Sequence, residues 1–411
     1  MPENNWAGIP YDDLSEEQKG FLTTMLDNTD RNYFLHGCAG SGKTVLAAHG
    51  TKILTQEDKT VIFVVYTKLL AKFVADGFQG VGASIHEVDH YHKWAKDLTF
   101  YGEYDMAVID ECQDFETQWI ENVKANSTNQ IWLGDPNQQI YGDAMQDGGF
   151  RTIFSEFGDK EFELKVNYRN SISTAQLAVA FLNNNEFDEI SLEEKKMNFI
   201  GPILKNDLQT SEANNQPNVF IEATNEQEEY DAIAKIVKDI QNNQNESRKQ
   251  IAIVQLHHKD LNNMERELDK RGVDYFRITS GKQELPDFND KSLTILSPIH
   301  SLKGLELDYI IFPRTEGYKI KFWEEKTIND ALMHVLFSRA KKRIFCSYTD
   351  KANSYVYNGI SDDIDNDFFQ FITSGEVLED GTPTKLEEEV KENIVNTKEK
   401  IKNYFDDLEL K

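Results

Sequence analysis

The chain runs to 411 residues, 39% hydrophobic and 11% aromatic, enough for two or three domains with ordinary cores. Its formal net charge of −27 excludes an overall basic footprint for a polyanion, so any nucleic-acid contact has to be local. Met1 to Gly8 lacks a basic or apolar leader, Val61 to Tyr66 is far too short to span a membrane, and Cys38, Cys112 and Cys346 cannot build a disulfide framework, so a soluble cytoplasmic protein is expected.

The first apolar run, Tyr33 to Leu35, leads into His36-Gly37-Cys38-Ala39-Gly40-Ser41-Gly42-Lys43-Thr44, and Val45 to His49 then reads as helix. Gly37 to Thr44 fit G-x-x-x-x-G-K-[ST] in the strand–loop–helix setting that a phosphate-binding loop requires. Gly37, Ala39, Gly40, Ser41 and Gly42 would cradle phosphates through backbone N–H groups, helped by the helix N-terminus. Lys43 can reach the β- and γ-phosphates of ATP, and Thr44 can hold Mg²⁺.

Strand-like runs follow at Val61–Tyr66, Met106–Asp110, Gln130–Leu133, Glu163–Val166, Val219–Ala223, Ile251–Gln255, Leu293–Leu296, Tyr309–Phe312 and Ile344–Tyr348, with helical stretches between them. Several are almost wholly apolar, as for parallel strands covered on both faces, and the alternation predicts α/β units. A fresh series starts near Glu161. The chain therefore reads as two doubly wound parallel-sheet domains, over 1–157 and 158–375, followed by an acidic linker and amphipathic helix over 376–411. In that tail Thr384 and Glu387 form a capping box, and Leu386, Val390, Ile394, Thr397, Ile401, Phe405 and Leu408 recur at helical spacing.

Ala107-Val108-Ile109 ends in Asp110 and Glu111. After a phosphate loop, a carboxylate at a strand end suits Mg²⁺, and its neighbour can orient the attacking water. Phosphoryl transfer needs both, because its transition state is stabilised mainly by positioned charge.

Asp110-Glu111-Cys112-Gln113-Asp114 resembles the D-E-x-Q-D box of superfamily 1 helicases of the UvrD/Rep type. The resemblance continues in family order. Gly134-Asp135-Pro136-Asn137-Gln138 with Ile140-Tyr141 is similar to G-D-x-x-Q-x-I-Y, implying Gln138 as a γ-phosphate sensor and Tyr141 as a nucleic-acid contact. Leu164 to Asn170 resembles L-x-x-N-Y-R-S, implying Tyr168 on adenine and Arg169 on the γ-phosphate. His300 to Glu306 resembles H-S-x-K-G-L-E, with His300 and Lys303 facing nucleic acid and Glu306 the nucleotide. Val335 to Lys341 resembles V-x-x-T-R-A-K and makes Arg339 the arginine finger. Upstream, Gln18 would read adenine, while Tyr66, Lys68 and His86 would touch nucleic acid. The resemblance implies two RecA-like domains with the nucleotide site between them. Such a protein would be an ATP-hydrolysing helicase or translocase on single-stranded DNA, running 3′ to 5′, with RNA as an open alternative.

Departures matter as well. Asp143 stands where the family often has a base-stacking aromatic, a platform worth about 1–3 kcal/mol. The stretches from Tyr66 to Asp110 and from Arg169 to His300 are too short for the family's large accessory insertions, so a near-minimal motor is expected. The alternative is an ATPase or regulatory subunit of a multi-protein nuclease or defence complex, with little unwinding of its own and a protein partner on the C-terminal helix. His86-Glu87-Val88-Asp89-His90 also matches H-E-x-x-H, which needs a helix and a third ligand to bind zinc.

Overall fold

The computed structural model describes residues 8–80, 87–90, 104–141, 148–157, 162–185, 190–207, 216–256, 258–279, 285–316, 326–360 and 368–381. The chain divides into two compact units, Met1–Lys165 with Asp287–Asn289, and Val166–Pro286 with Asp290–Lys411.

The first unit holds α1 (Glu16–Asp27), β1 (Tyr33–Gly37), α2 (Lys43–Gln56), β2 (Val61–Val65), α3 (Lys68–Gly80), β3 (Glu87–His90), β4 (Tyr104–Ile109), α4 (Thr117–Ala125), β5 (Ser127–Gly134), α5 (Gly149–Phe157) and β6 (Phe162–Leu164). Its sheet runs β3-β2-β4-β5-β1-β6, parallel throughout. Every residue of β2 is buried, as its unbroken Val-Ile-Phe-Val-Val run requires of a strand covered on both faces. Ser15 starts α1 with a capping box closed by Gln18. Asp287–Asn289 complete this unit: the Phe288 N–H donates to Asp76 Oδ2 at 3.3 Å, and its ring meets Phe73 edge-on at 5.5 Å.

The second unit holds α6 (Ile172–Ala180), α7 (Leu192–Asp207), β7 (Asn218–Glu222), α8 (Glu226–Asn242), β8 (Ile251–Gln255), α9 (His258–Lys270), β9 (Phe276–Arg277), β10 (Thr294–Pro298), β11 (Leu307–Phe312), α10 (Lys326–Phe337), β12 (Ala340–Tyr348), α11 (Tyr355–Gly359), β13 (Phe369–Thr373) and α12 (Ser374–Asp380). Its seven strands run β13-β7-β12-β11-β8-β10-β9, again parallel. Asn225 caps α8, accepting from the N–H groups of Gln227 and Glu228. The helix then buries Tyr230, Ile233, Ile236, Val237 and Ile240 in one core with Ile251, Ile253, Ile311 and Phe345.

Three elements differ from the local sequence pattern. The run near Glu163 does not open the second sheet; β6 pairs with β1 and closes the first. Glu87–His90 is a strand paired with β2, so it lacks the helical spacing that H-E-x-x-H needs. After β13, a capping box between Thr373 and Glu376 starts α12. The tail helix expected from Thr384 to Leu408 lies outside the described residues.

Candidate functional site

In the first unit, parallel pairing sets the C-terminal ends of β4, β5 and β1 side by side, and each end opens into a polar loop. The loop after β1 turns through Gly40 (φ 73°) and Gly42 (φ 88°), a left-handed region that side chains disfavour. A Cβ on Gly37 would come within 2.5 Å of the Leu164 carbonyl oxygen, so β6 fits directly against the loop's first residue. Lys43 begins α2, and the unsatisfied N–H groups of that first turn lie at the loop. Lys43 Nζ donates to the carbonyls of Gly37 at 2.8 Å and Cys38 at 3.0 Å. Ala39 and Ser41 are buried in the loop. Gln18 Oε1 accepts the Ser15 N–H at 2.9 Å while its Nε2 donates to the Ser41 carbonyl at 2.9 Å, which ties the start of α1 to the loop.

Across the sheet, Thr44 Oγ1 donates to Asp110 Oδ2 at 2.7 Å. Burial, and then the charge of Glu111, push the Asp110 carboxyl up to about 6, against the Thr44 hydrogen bond and Lys43. Glu111 itself sits at φ 58°. Its N–H donates to Asp110 Oδ1 at 2.9 Å, and its Oε2 accepts from Gln113 Nε2 at 2.6 Å. Gln113 Oε1 accepts the Asp135 N–H at 3.1 Å, and Asp135 Oδ2 accepts from Gln138 Nε2 at 2.6 Å. Four side chains from two strand ends thus form one buried chain. Sequence reasoning gave Gln113 no role, although it stands inside the Asp110–Asp114 box.

On the same unit the rings of Tyr66 and Tyr141 stack at 4.4 Å with planes 30° apart, and Phe115 meets Tyr66 edge-on at 6.0 Å. Lys68 is exposed at the start of α3. His86 and Asp143 lie outside the described residues.

In the second unit, Leu307 of β11 pairs with Ala340 of β12, so Glu306 and Arg339 precede neighbouring strand starts. Arg169 Nε and Nη2 donate to Glu306 Oε1 at 3.0 and 2.8 Å, and its Nη1 donates to the Ser338 carbonyl at 3.2 Å. Lys341 Nζ lies 2.8 Å from Glu306 Oε2. Burial would raise the Glu306 carboxyl, but the charges of Arg169 and Lys341 outweigh it and hold the group well below the usual carboxylate range. Asn170 Nδ2 donates to the Ala340 carbonyl at 2.6 Å, fixing the strand start. Arg339 is 1% exposed, and its Nε donates to the Val335 carbonyl at 3.2 Å. Tyr168, by contrast, is 45% exposed.

His300 and Lys303 belong to the segment 299–306. Since β10 and β11 both pair with β8 in parallel, that segment must travel back along the sheet from one strand's end to the other's start. His300 sits in its opening turn, Ile299–Leu302, where burial and then the Lys303 charge lower its imidazole to about 4. Lys303 is 1% exposed. The structure therefore joins Arg169 with Glu306, beside the strand start that follows Arg339, and sets His300 and Lys303 apart from them on the return path.

Two family models match the sequence: an AAA domain over residues 13–200 and a UvrD-like helicase C-terminal domain over residues 162–285. No curated relative matches the chain. Among solved structures, S. cerevisiae Dbp5 bound to RNA and ADP BeF3 is similar at a TM-score of 0.57 and 13% identity, over 95% of this chain and 96% of that one. A variant of Dbp5 with the same ligands gives 0.56 at 13% identity, over 92% and 93%. At such identity the likeness concerns fold, and the fold is two RecA-like parallel-sheet units. Among the described residues no helix is long and apolar enough to cross a membrane. With the phosphate loop in its structural setting and the UvrD-like helicase C-terminal model following it along the sequence, the chain carries helicase-type domains and is an ATP-hydrolysing enzyme.

Proposed function

We propose that this helicase hydrolyses ATP with Mg²⁺ and moves along single-stranded DNA, 3′ to 5′ as its sequence resemblance implies. One observation carries the chemistry: Thr44, Asp110, Glu111 and Gln138 follow three neighbouring strand ends and are joined, through Gln113 and Asp135, by hydrogen bonds, with Lys43 beside Thr44 at the start of α2. Thr44 Oγ1 and the Asp110 carboxyl are hard oxygen donors, and Asp110 carries a negative charge that its surroundings leave poorly balanced. Such a pair fits Mg²⁺, which supplies charge neutralisation to the phosphate oxygens when bound. In this reading Glu111 orients the attacking water, Gln138 senses the γ-phosphate, and Arg169 and Arg339 of the second unit provide cationic charge. Exposed Tyr168 would stack on adenine, with Gln18 reading its edge. Glu306 positions Arg169 through their paired hydrogen bonds.

For nucleic acid we assign Lys68 and the Tyr66–Tyr141 pair, with His300 on the second unit. Lys303 is buried, so its role is to shape the 299–306 segment. With few basic contacts on a chain of net charge −27, binding should be weak and only shallowly salt-dependent. The same charge favours a second reading, a motor subunit whose acidic C-terminal segment recruits a protein partner.

Glu111→Gln should bind ATP and lose turnover, because it removes the water-orienting carboxylate and leaves the phosphate cradle intact. Wild-type turnover in that variant would overturn the assignment. Turnover measured with single-stranded DNA, RNA and tailed duplex separates the readings: stimulation by DNA supports the translocase, and indifference to all three supports the protein-partnered motor.

A further inference from the structure

We propose that Gln113 is a positioning residue for hydrolysis: its side-chain amide clamps the Glu111 carboxylate to the loop that carries Gln138. The inference rests on the assignment of Glu111 made above. It starts from donor and acceptor types. A carboxylate only accepts hydrogen bonds and a backbone N–H only donates, so a residue bridging the two must donate at one end and accept at the other. Gln113 does this, with Nε2 donating to Glu111 Oε2 at 2.6 Å and Oε1 accepting the Asp135 N–H at 3.1 Å. Both partners fix the amide's orientation. Gln113 is fully buried, and the neighbours it connects are buried too, Glu111 at 7% and Asp135 at 1% exposure.

Three further features make the clamp specific to Glu111. The residue stands in the left-handed region at φ 58°, a conformation that a non-glycine residue keeps only when its surroundings hold it. The backbone bond from Asp114 N–H to the Glu111 carbonyl, 3.1 Å, fixes the turn but not the side chain. The other side of Gln113 is held as well, because Gln139 Nε2 donates to the Gln113 carbonyl at 2.8 Å. The segment 135–139 therefore grips Gln113 at two points while Gln113 grips Glu111. A shift of the Gln138 loop would pass to the water-orienting carboxylate through a single amide.

Gln113→Glu keeps the shape and reverses the donor. Two carboxylates would then face each other at the 2.6 Å contact, and one must hold a proton for the contact to survive. We expect turnover at pH 8 to fall about 10²-fold, with affinity for a non-hydrolysable ATP analogue within about threefold of wild type. The deficit should shrink towards pH 6, as a retained proton lets the introduced carboxyl donate to Glu111. Gln113→Met, which removes both bonds without adding charge, should lose about 10-fold in kcat at every pH and show no recovery in acid. A purely structural Gln113 would lose nucleotide affinity and thermal stability together with turnover, and the Gln113→Glu deficit would not depend on pH; either result overturns the proposal, as does wild-type turnover in both variants. Should Gln113→Glu fail to fold, the kcat-against-affinity split of Gln113→Met decides. Glu111→Gln is measured alongside: if it stays active the reading of Glu111 has failed, and if it is dead while both Gln113 variants are normal, only the clamp has.

Discussion

The two units are built alike, from parallel sheets wrapped by helices, yet they place their proposed nucleotide chemistry at opposite ends of their strands. The first carries it where β1, β4 and β5 finish; the second carries Glu306 and Arg339 where β11 and β12 begin. Their charges differ as well. Asp110 and Glu111 are adjacent buried carboxylates, and Asp110 is pushed up to about 6. Glu306 has Arg169 and Lys341 against it and is held well below the usual range. The first edge is thus incomplete in positive charge, as the proposed Mg²⁺ site requires. The second is already neutralised, and its carboxylate serves to hold an arginine in place.

The largest effect that bears on this contrast is on turnover. Lys43→Ala removes the first edge's own cation and should lower ATP turnover by about 10²–10³-fold without unfolding the unit; steady-state hydrolysis and a melting curve check both halves. Next comes the second edge. Glu306→Ala leaves Arg169 and Lys341 facing each other across a half-buried pocket and should cost about 3 kcal/mol in denaturant unfolding of the full chain. The wild-type contribution has a definite sign with pH. Because the folded group lies below its ordinary value, its stabilisation is present above about 4.5 and lost as pH falls further.

A carboxylate elsewhere in the second unit shows whether neighbours or location decide. Glu229 is fully buried on α8, where its Oε1 accepts the Arg314 N–H at 2.9 Å and Ser347 Oγ at 2.6 Å. Burial pushes it up to about 7, with Glu316 adding to the rise. A raised acid stabilises the fold below its unfolded value of 4.5 and loses that contribution as pH climbs through 7. Glu229→Gln keeps the accepting oxygen and should therefore raise stability by about 2 kcal/mol at pH 8, with the gain gone once the pH is below 4.5. Asp110→Asn should follow the same pattern at about 1 kcal/mol, while abolishing turnover. If Asp110→Asn destabilises at pH 8 as Glu306→Ala does, the contrast between the two edges is wrong.

Much of the fold is legible in the residues. β2 and β8 are apolar runs whose composition already implies two covered faces, and β1, β4, β5 and β11 each contain a shorter apolar stretch. β3, with Glu-Val-Asp-His, and β9, two residues long, carry too little pattern to be read locally. β6 is a matter of pairing, and no local signal says which sheet a three-residue strand will join. For the site, the glycine spacing marks the phosphate loop, and Asp110 and Glu111 stand at a strand end as read. Burial of Lys303 and Arg339 does not show in the sequence, because both are cations inside motifs that read as exposed. Nor does the role of Gln113, which depends on a loop 22 positions further along reaching back to it.

The placement of β6 has a mechanical consequence. Its last residue, Leu164, presents its carbonyl to the Cys38 N–H at 3.2 Å, and the Lys165 carbonyl accepts from Cys38 Sγ at 3.4 Å. Val166, the next residue, already belongs to the second unit. The first passage of the chain between the units is therefore anchored on the second residue of the phosphate loop. A pull along that passage would therefore be felt at Cys38, two residues before the first left-handed glycine.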